Sequence, residues 1–175
     1  MNGGPNQDIH TMPRLRSFHP VANTDATVLI LGSMPGKESL NQNQYYAHPQ
    51  NAFWKIMGEL VGFDPRLPYE ERLHKLTATR IALWDVLASC ERESSLDTHI
   101  RKEKANDFEA FLLQHPHITR VFFNGAKAEQ SFNKFVLEEQ KLPPLIYQRL
   151  PSTSPAHAGM RYERKLELWR EAIGF

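Results

Sequence analysis

The chain has 175 residues, 41% of them hydrophobic and 23% charged, with a formal net charge of +1. That size suits one globular domain with its own core. No apolar run nears the roughly 18–20 residues that span a bilayer, and the single cysteine, Cys90, excludes an internal disulfide, a Cys-based zinc site and a four-Cys iron–sulfur cluster.

Residues 1–13 are polar and contain Gly3-Gly4-Pro5, which predicts a disordered tail ahead of a single domain over residues 14–175. The tail carries no apolar signal core, so a cytoplasmic protein is expected. Thr27 to Leu31 is a short aliphatic run closed by Gly32, as in a buried parallel strand. Asn51 to Val61 gathers Phe53, Trp54, Met57, Leu60 and Val61 on one helical face, with His48-Pro49 barring backward extension. Tyr69 to Thr77 is a weaker helix. Ile81 to Leu87 reads as a strand, Ala105 to Gln114 as a helix, and Ile118 to Phe123 as a strand ending at Asn124-Gly125. A helix follows over Ala126 to Leu137, then a Pro143-Pro144 loop and a strand over Leu145 to Leu150. Tyr162, Leu166, Trp169 and Ile173 form the stripe of a last helix. The alternation predicts an α/β fold, a three-layer α/β/α sandwich around a mostly parallel four-stranded sheet.

Two strands run into stiff loops of Gly, Pro and small hydroxyl residues. One is Gly32-Ser33-Met34-Pro35-Gly36-Lys37; the other is Pro151-Ser152-Thr153-Ser154-Pro155-Ala156. In an open parallel sheet such loops build the crevice at the carboxyl ends of the strands, so these two are expected to be lips of one cleft. The first is no phosphate-cradling P-loop, because Leu31 stands where a Gly is needed and Glu38 where a Ser or Thr is needed. Met34 breaks a GxGxxG pattern. The eight histidines form no His-Glu-x-x-His, Gly-x-Ser-x-Gly is absent, and no motif marks a lysine as an imine-forming nucleophile. No metal and no cofactor are expected.

The first loop continues into Tyr45-Tyr46-Ala47-His48-Pro49-Gln50-Asn51-Ala52-Phe53-Trp54. Together with Pro151–Ala156 this resembles the mismatch-specific branch of the uracil-DNA glycosylase superfamily. Tyr45-Tyr46, Ala82–Leu87, Cys90-Glu91-Arg92 and Ser95-Leu96-Asp97 are similar to the narrower hypoxanthine-DNA glycosylase group. The resemblance runs from about Arg16 to the C-terminus and implies removal of a deaminated base from DNA, hypoxanthine favoured, by a monofunctional enzyme that stops at the abasic site. Damaged DNA is then the partner, and a monomer is expected. A uracil- or mismatch-type enzyme, or a DNA-binding module without turnover, is the alternative.

The resemblance also suggests roles. Tyr46 aligns with the aromatic that stacks on the flipped base, with Ser33, Met34 and Trp84 beside the base. Asn51 starts a helix and so suits an N-cap, yet the resemblance gives it the catalytic amide role, because the loop position that carries a water-holding Asn elsewhere in the branch is Met34. Asn124 suits either a strand-end turn or, by the resemblance, a catalytic place beside Asn51 in positioning water and reading the base, with Asp85 helping. Asp85 stands in the segment where uracil-specific relatives place a base-reading Asn. It would accept from a base N–H if ionised or donate if protonated, or else pair with Arg80 or Arg92. Ser152, Ser154, Pro155 and Lys37 would hold the DNA backbone, Ser152 replacing a His common in uracil enzymes. Ala156 is too small to fill the place of a flipped base, which leaves His157 or Met160.

Overall fold

A computed structural model describes residues 13–175. The tail expected over residues 1–13 lies, but for Pro13, outside the described residues.

Four strands form the central sheet: β2 (Val28–Gly32), β3 (Ile81–Asp85), β6 (Arg120–Asn124) and β7 (Ile146–Leu150), all parallel, in the order β3-β2-β6-β7. Side chains alternate along each strand. Val28, Ile30, Leu83 and Phe122 join one core layer, with α2 (Phe53–Val61), α3 (Tyr69–Ala78) and α6 (Tyr162–Ile173) packed over it. Leu29, Leu31, Ala82, Val121 and Phe123 join the opposite layer, under α4 (Phe108–Gln114) and α5 (Ala126–Phe132). The three-layer α/β/α sandwich is therefore present.

The chain leaves β2 for β3 on one side and later returns to β6 on the other. The crevice of such a sheet opens between the strands where the order reverses. Here that point lies above Gly32 and Asn124, the last residues of β2 and β6.

Several elements depart from the pattern expected from sequence. A second, antiparallel sheet consists of β1 (Arg14–Arg16), β4 (Leu87–Glu91) and β5 (Arg101–Ala105), in the order β1-β4-β5. Its strand β5, Arg-Lys-Glu-Lys-Ala, is charged and mostly exposed, so it carries no apolar period to betray it. The helix expected from Ala105 begins only at Phe108, because Ala105 pairs with Leu87 and Asp107 caps the helix by accepting from the Ala110 N–H at 3.0 Å. A short helix α1 (Lys37–Gln42) follows the first loop, and the stretch after α5 widens into one π-type turn over Asn133–Leu137.

Candidate active site

One cavity of about 710 Å³ sits over the carboxyl ends of β2, β3 and β6. It draws on five stretches of chain: the loop after β2, the end of β3, the segment between β4 and β5, the turn after β6 and the turn after β7. That volume lies within the range of small-ligand pockets and admits a purine.

Gly32 forms the floor. A Cβ there would lie 2.6 Å from Asp85 Oδ1 and 3.0 Å from the Tyr46 hydroxyl, so a side chain on this residue would drive into both groups. Asp85 ends β3 in register with Gly32 and is buried. Its Oδ2 has no hydrogen-bond partner among the described residues. Burial pushes its carboxyl pKa up to about 7, Asp97 adds to the rise, and Arg92 opposes it. The expected ion-pair alternatives are not formed: Arg80 pairs with Asp25 at 3.8 Å, and Arg92 donates to the Pro35 carbonyl at 2.6 Å.

Tyr46 has φ of +55°, a left-handed conformation that costs an aromatic residue on the order of 1–2 kcal/mol. Its surroundings hold it there. The Ala47 N–H donates to Ser39 Oγ at 3.1 Å, the Tyr45 N–H donates to the Tyr69 hydroxyl at 3.0 Å, and the Tyr45 hydroxyl donates to the His19 carbonyl at 2.7 Å. The result splits the doublet: Tyr45 is buried in the core and Tyr46 borders the cavity. The Tyr46 ring stacks on Phe53, with centroids 4.0 Å apart and planes 27° from parallel. Its hydroxyl is buried without a partner, and burial pushes its pKa up, so it keeps its proton.

Asn51 also borders the cavity. Its Oδ1 accepts from the Phe53 N–H at 2.9 Å at the start of α2. Capping and a site role are thus compatible: the bond turns the amide, so its NH2 group is left without a protein partner among the described residues.

Asn124 is more committed. Its Nδ2 donates to Thr153 Oγ1 and its Oδ1 accepts from the Thr153 N–H, both at 2.9 Å. The next residue, Gly125, has φ of +97°, and a Cβ there would meet Ser152 at 3.0 Å. Strand β6 is therefore locked to the loop after β7. That loop is also gripped from beneath, by Trp169 Nε1 donating to the Pro151 carbonyl at 3.0 Å and Lys165 Nζ donating to the His157 carbonyl at 2.7 Å. Within it the Ser154 N–H donates to Ser152 Oγ and the Ala156 N–H to Ser154 Oγ, each at 3.2 Å. Each serine acts as acceptor within the loop and retains its own O–H.

Ser33, Met34, Lys37, Ser152, Ser154 and Pro155 all border the cavity, with Lys37 and Pro155 exposed. Trp84 does not. It packs on Phe108 and Phe111, with ring centroids 4.9 and 4.8 Å away, and donates to the Phe18 carbonyl at 3.1 Å. The strand's alternation turns Trp84 into the α4 layer while Asp85 meets the crevice, so placing Trp84 beside the base is corrected to a core role.

Residues 92–100 build a further wall of the cavity, one without a strong signal in the sequence. Asp97 Oδ1 accepts from Ser33 Oγ at 2.7 Å, and Ser95 Oγ accepts from the Lys37 N–H at 2.8 Å. With the Arg92–Pro35 bond, these fasten the wall to the loop after β2. The motif Ser95-Leu96-Asp97 was the signal available. Among the described residues, no three His, Cys, Asp or Glu cluster so as to hold a metal ion, and no helix is long and apolar enough to cross a membrane.

A parallel sheet whose switch-point crevice holds a half-covered aromatic, an amide and a buried carboxyl defines a pocket for one planar polar ring. The chain belongs to the uracil DNA glycosylase superfamily, whose family description matches residues 19–173. A hypoxanthine DNA glycosylase of Methanosarcina acetivorans is 34% identical over 159 residues, covering 90% of this chain and 96% of that one. Another of that name from Methanosarcina barkeri is 40% identical over 114 residues, 65% of this chain and 72% of the relative. The solution NMR structure of a M. acetivorans protein, provisionally named a uracil DNA glycosylase, has a TM-score of 0.75 at 33% identity and covers 92% of this chain and 96% of its own.

Proposed function

We propose that this protein is a monofunctional hypoxanthine DNA glycosylase, excising the deaminated base from DNA and leaving an abasic site. Its class is that of the DNA N-glycosylases, which act on a base lifted out of the helix. The observation that carries the reading is the placement of Tyr46. Phe53 covers one face of its ring, and the ring borders a cavity large enough to take a purine. Base–aromatic stacking contributes roughly 1–3 kcal/mol.

Hydrolysis joins a water oxygen to C1′ of the sugar and breaks the C1′–N9 bond. The bonding pair leaves with the base, which takes up a proton, and the sugar keeps a hydroxyl. The barrier falls when donors meet the charge growing on the base and an acceptor orients the water. Met34 can do neither. Asn51 can do both, through its free NH2 group and the second lone pair on Oδ1. In this reading Asp85 meets the edge of the base, Asn124 positions the loop over residues 151–156, and the O–H groups of Ser152 and Ser154 reach phosphate oxygens, helped by Pro155 and Lys37. The enzyme works as a cytoplasmic monomer with damaged DNA as partner and without a cofactor.

The test is a strand-cleavage assay after alkali on duplexes carrying one hypoxanthine, uracil, xanthine or no lesion. Hypoxanthine release that falls about 100-fold or more in Asn51→Ala supports the reading, the usual scale for losing one group that stabilises the transition state. Release of uracil alone would transfer the protein to a neighbouring specificity. No release from any duplex would overturn the enzyme reading.

A further inference from the structure

Two groups at the cavity floor take no part in the hydrogen bonds of the fold among the described residues. Among the described residues Asp85 Oδ2 and the Tyr46 hydroxyl are both buried without partners, and Asp85 Oδ1 and that hydroxyl crowd Gly32, which has no side chain to cover them. The Asp85 backbone, by contrast, is well used: its carbonyl accepts from Asn106 Nδ2 at 2.7 Å. A carboxyl kept in such a place without a donor or a contacting cation is unfavourable as an anion and stable as a neutral acid.

Resting on the glycosylase reading above, we infer that Asp85 is the base-reading residue of this pocket and meets the flipped base as a neutral carboxylic acid. Its O–H donates to the carbonyl oxygen of a lactam, and its C=O accepts from the adjoining ring N–H. Hypoxanthine presents that edge at O6 and N1–H. Uracil and xanthine present the same pair, as do guanine and thymine, so the class Asp85 recognises is the lactam edge, and choice among lactams falls to how readily each is lifted from its pair. An ionised carboxylate would still accept from the N–H but would set its second oxygen against the lactam oxygen. The Tyr46 hydroxyl, unpartnered on the same floor, adds a donor. Adenine shows the reverse order of donor and acceptor and can meet a neutral acid with the two oxygens exchanged, so discrimination against it falls to the cost of lifting it from its pair.

The groups facing Asp85 favour the neutral form on balance. Tyr45 and Tyr46 from the loop after β2, and Tyr69 from α3, are phenols whose own pKa values burial raises. Asp97, from the wall, raises that of Asp85, and Arg92 beside the wall lowers it by less than burial raises it. Recognition therefore weakens as the pH climbs through about 7 and Asp85 loses its proton.

The experiment measures affinity, from pH 5.5 to 8.5, for a duplex carrying a non-hydrolysable 2′-fluoro analogue of deoxyinosine, against the unmodified duplex. Wild type, Asp85→Asn and Asp85→Leu are compared, with melting curves to establish folding. Wild type is expected to lose its preference for the analogue by about tenfold per pH unit above neutrality, the limit set by one titrating proton. Asp85→Asn, whose amide offers the same donor and acceptor without titrating, is expected to keep the preference at pH 6 and hold it flat to pH 8.5. Asp85→Leu is expected to lose it throughout. A wild-type preference that is flat, rises with pH or is missing at every pH overturns the inference. So does a folded Asp85→Asn that fails at pH 6 like the Leu variant. Excision of ordinary deoxyinosine, followed in parallel, reports the glycosylase reading alone. Analogue binding with the expected pH profile but no excision would remove that reading and leave the reader standing.

Discussion

Asn124 and Thr153 exchange two hydrogen bonds of 2.9 Å, one side chain to side chain and one from the Thr153 N–H to the Asn124 amide oxygen. Residues 29 positions apart thus join the end of the central strand β6 to the loop that lines the cavity's outer lip. The pairing is reciprocal, so loss of either partner strands a polar group on the other.

Thr153→Val keeps the shape and removes the hydroxyl that accepts from Asn124 Nδ2. We expect a loss of about 1–2 kcal/mol in urea unfolding, the scale of one buried polar group left unpaired. The loosened loop should raise KM for lesion DNA more than it lowers kcat. An unchanged KM would show that the lock does not serve DNA binding.

Gly32→Ala places a methyl group 2.6 Å from Asp85 Oδ1 and 3.0 Å from the Tyr46 hydroxyl. Both groups are buried on the cavity floor and have little room to retreat. Thermal melting should show destabilisation of about 1–3 kcal/mol, as for other overpacked sites. Excision should fall by more than that loss of stability explains, because the methyl group occupies the floor on which the base would rest.

Lys165 is a buried lysine whose ammonium donates to the His157 carbonyl, and burial lowers its pKa. Lys165→Met keeps the aliphatic stem and removes the bond. The helix should fold as before, and titration of lesion DNA should show affinity reduced about 3- to 10-fold, equal to the roughly 1 kcal/mol of one hydrogen bond. A matching loss of kcat with unchanged affinity would refute the positioning role.

Asp85 also governs stability against pH. Its folded pKa of about 7 lies above the ordinary carboxylate value of about 4. The folded form therefore holds a proton that the unfolded chain releases, and stability declines as pH rises from about 4 to 7. Urea unfolding of wild type should lose on the order of 3–4 kcal/mol from this group across that window, about 1.4 kcal/mol per pH unit. Asp85→Asn should flatten the decline and be the more stable protein at pH 7.5. A wild-type profile as flat as the Asn variant would place the Asp85 pKa near its ordinary value.

Much of the frame was legible along the chain. The unbroken apolar runs at Val28–Leu31, Ile81–Trp84 and Val121–Phe123 announce strands buried on both faces, and the stripes through Phe53–Leu60 and Tyr162–Ile173 announce helices, because burial imposes a period that composition records locally. The two Gly/Pro/Ser loops were legible as lips of one crevice, since parallel topology puts such loops at the same end of the sheet. The strands of the small sheet were hidden, because β5 is charged and mostly exposed, held by backbone pairing and ion pairs rather than by an apolar face, which leaves no period in its side chains. Trp84 and Asp85 are neighbours with opposite fates, decided by which face of β3 each one meets. The same holds for the doublet, where a left-handed turn at Tyr46 sends one ring to the core and the other to the cavity. By itself the sequence determined the layers, the order of the elements and the pair of loops. Only the tertiary structure decided which polar groups are satisfied. Asn124 is engaged by Thr153, 29 positions away, while Asp85 is left buried and unpartnered among the described residues, because such partners lie across loops and strands that no local pattern relates.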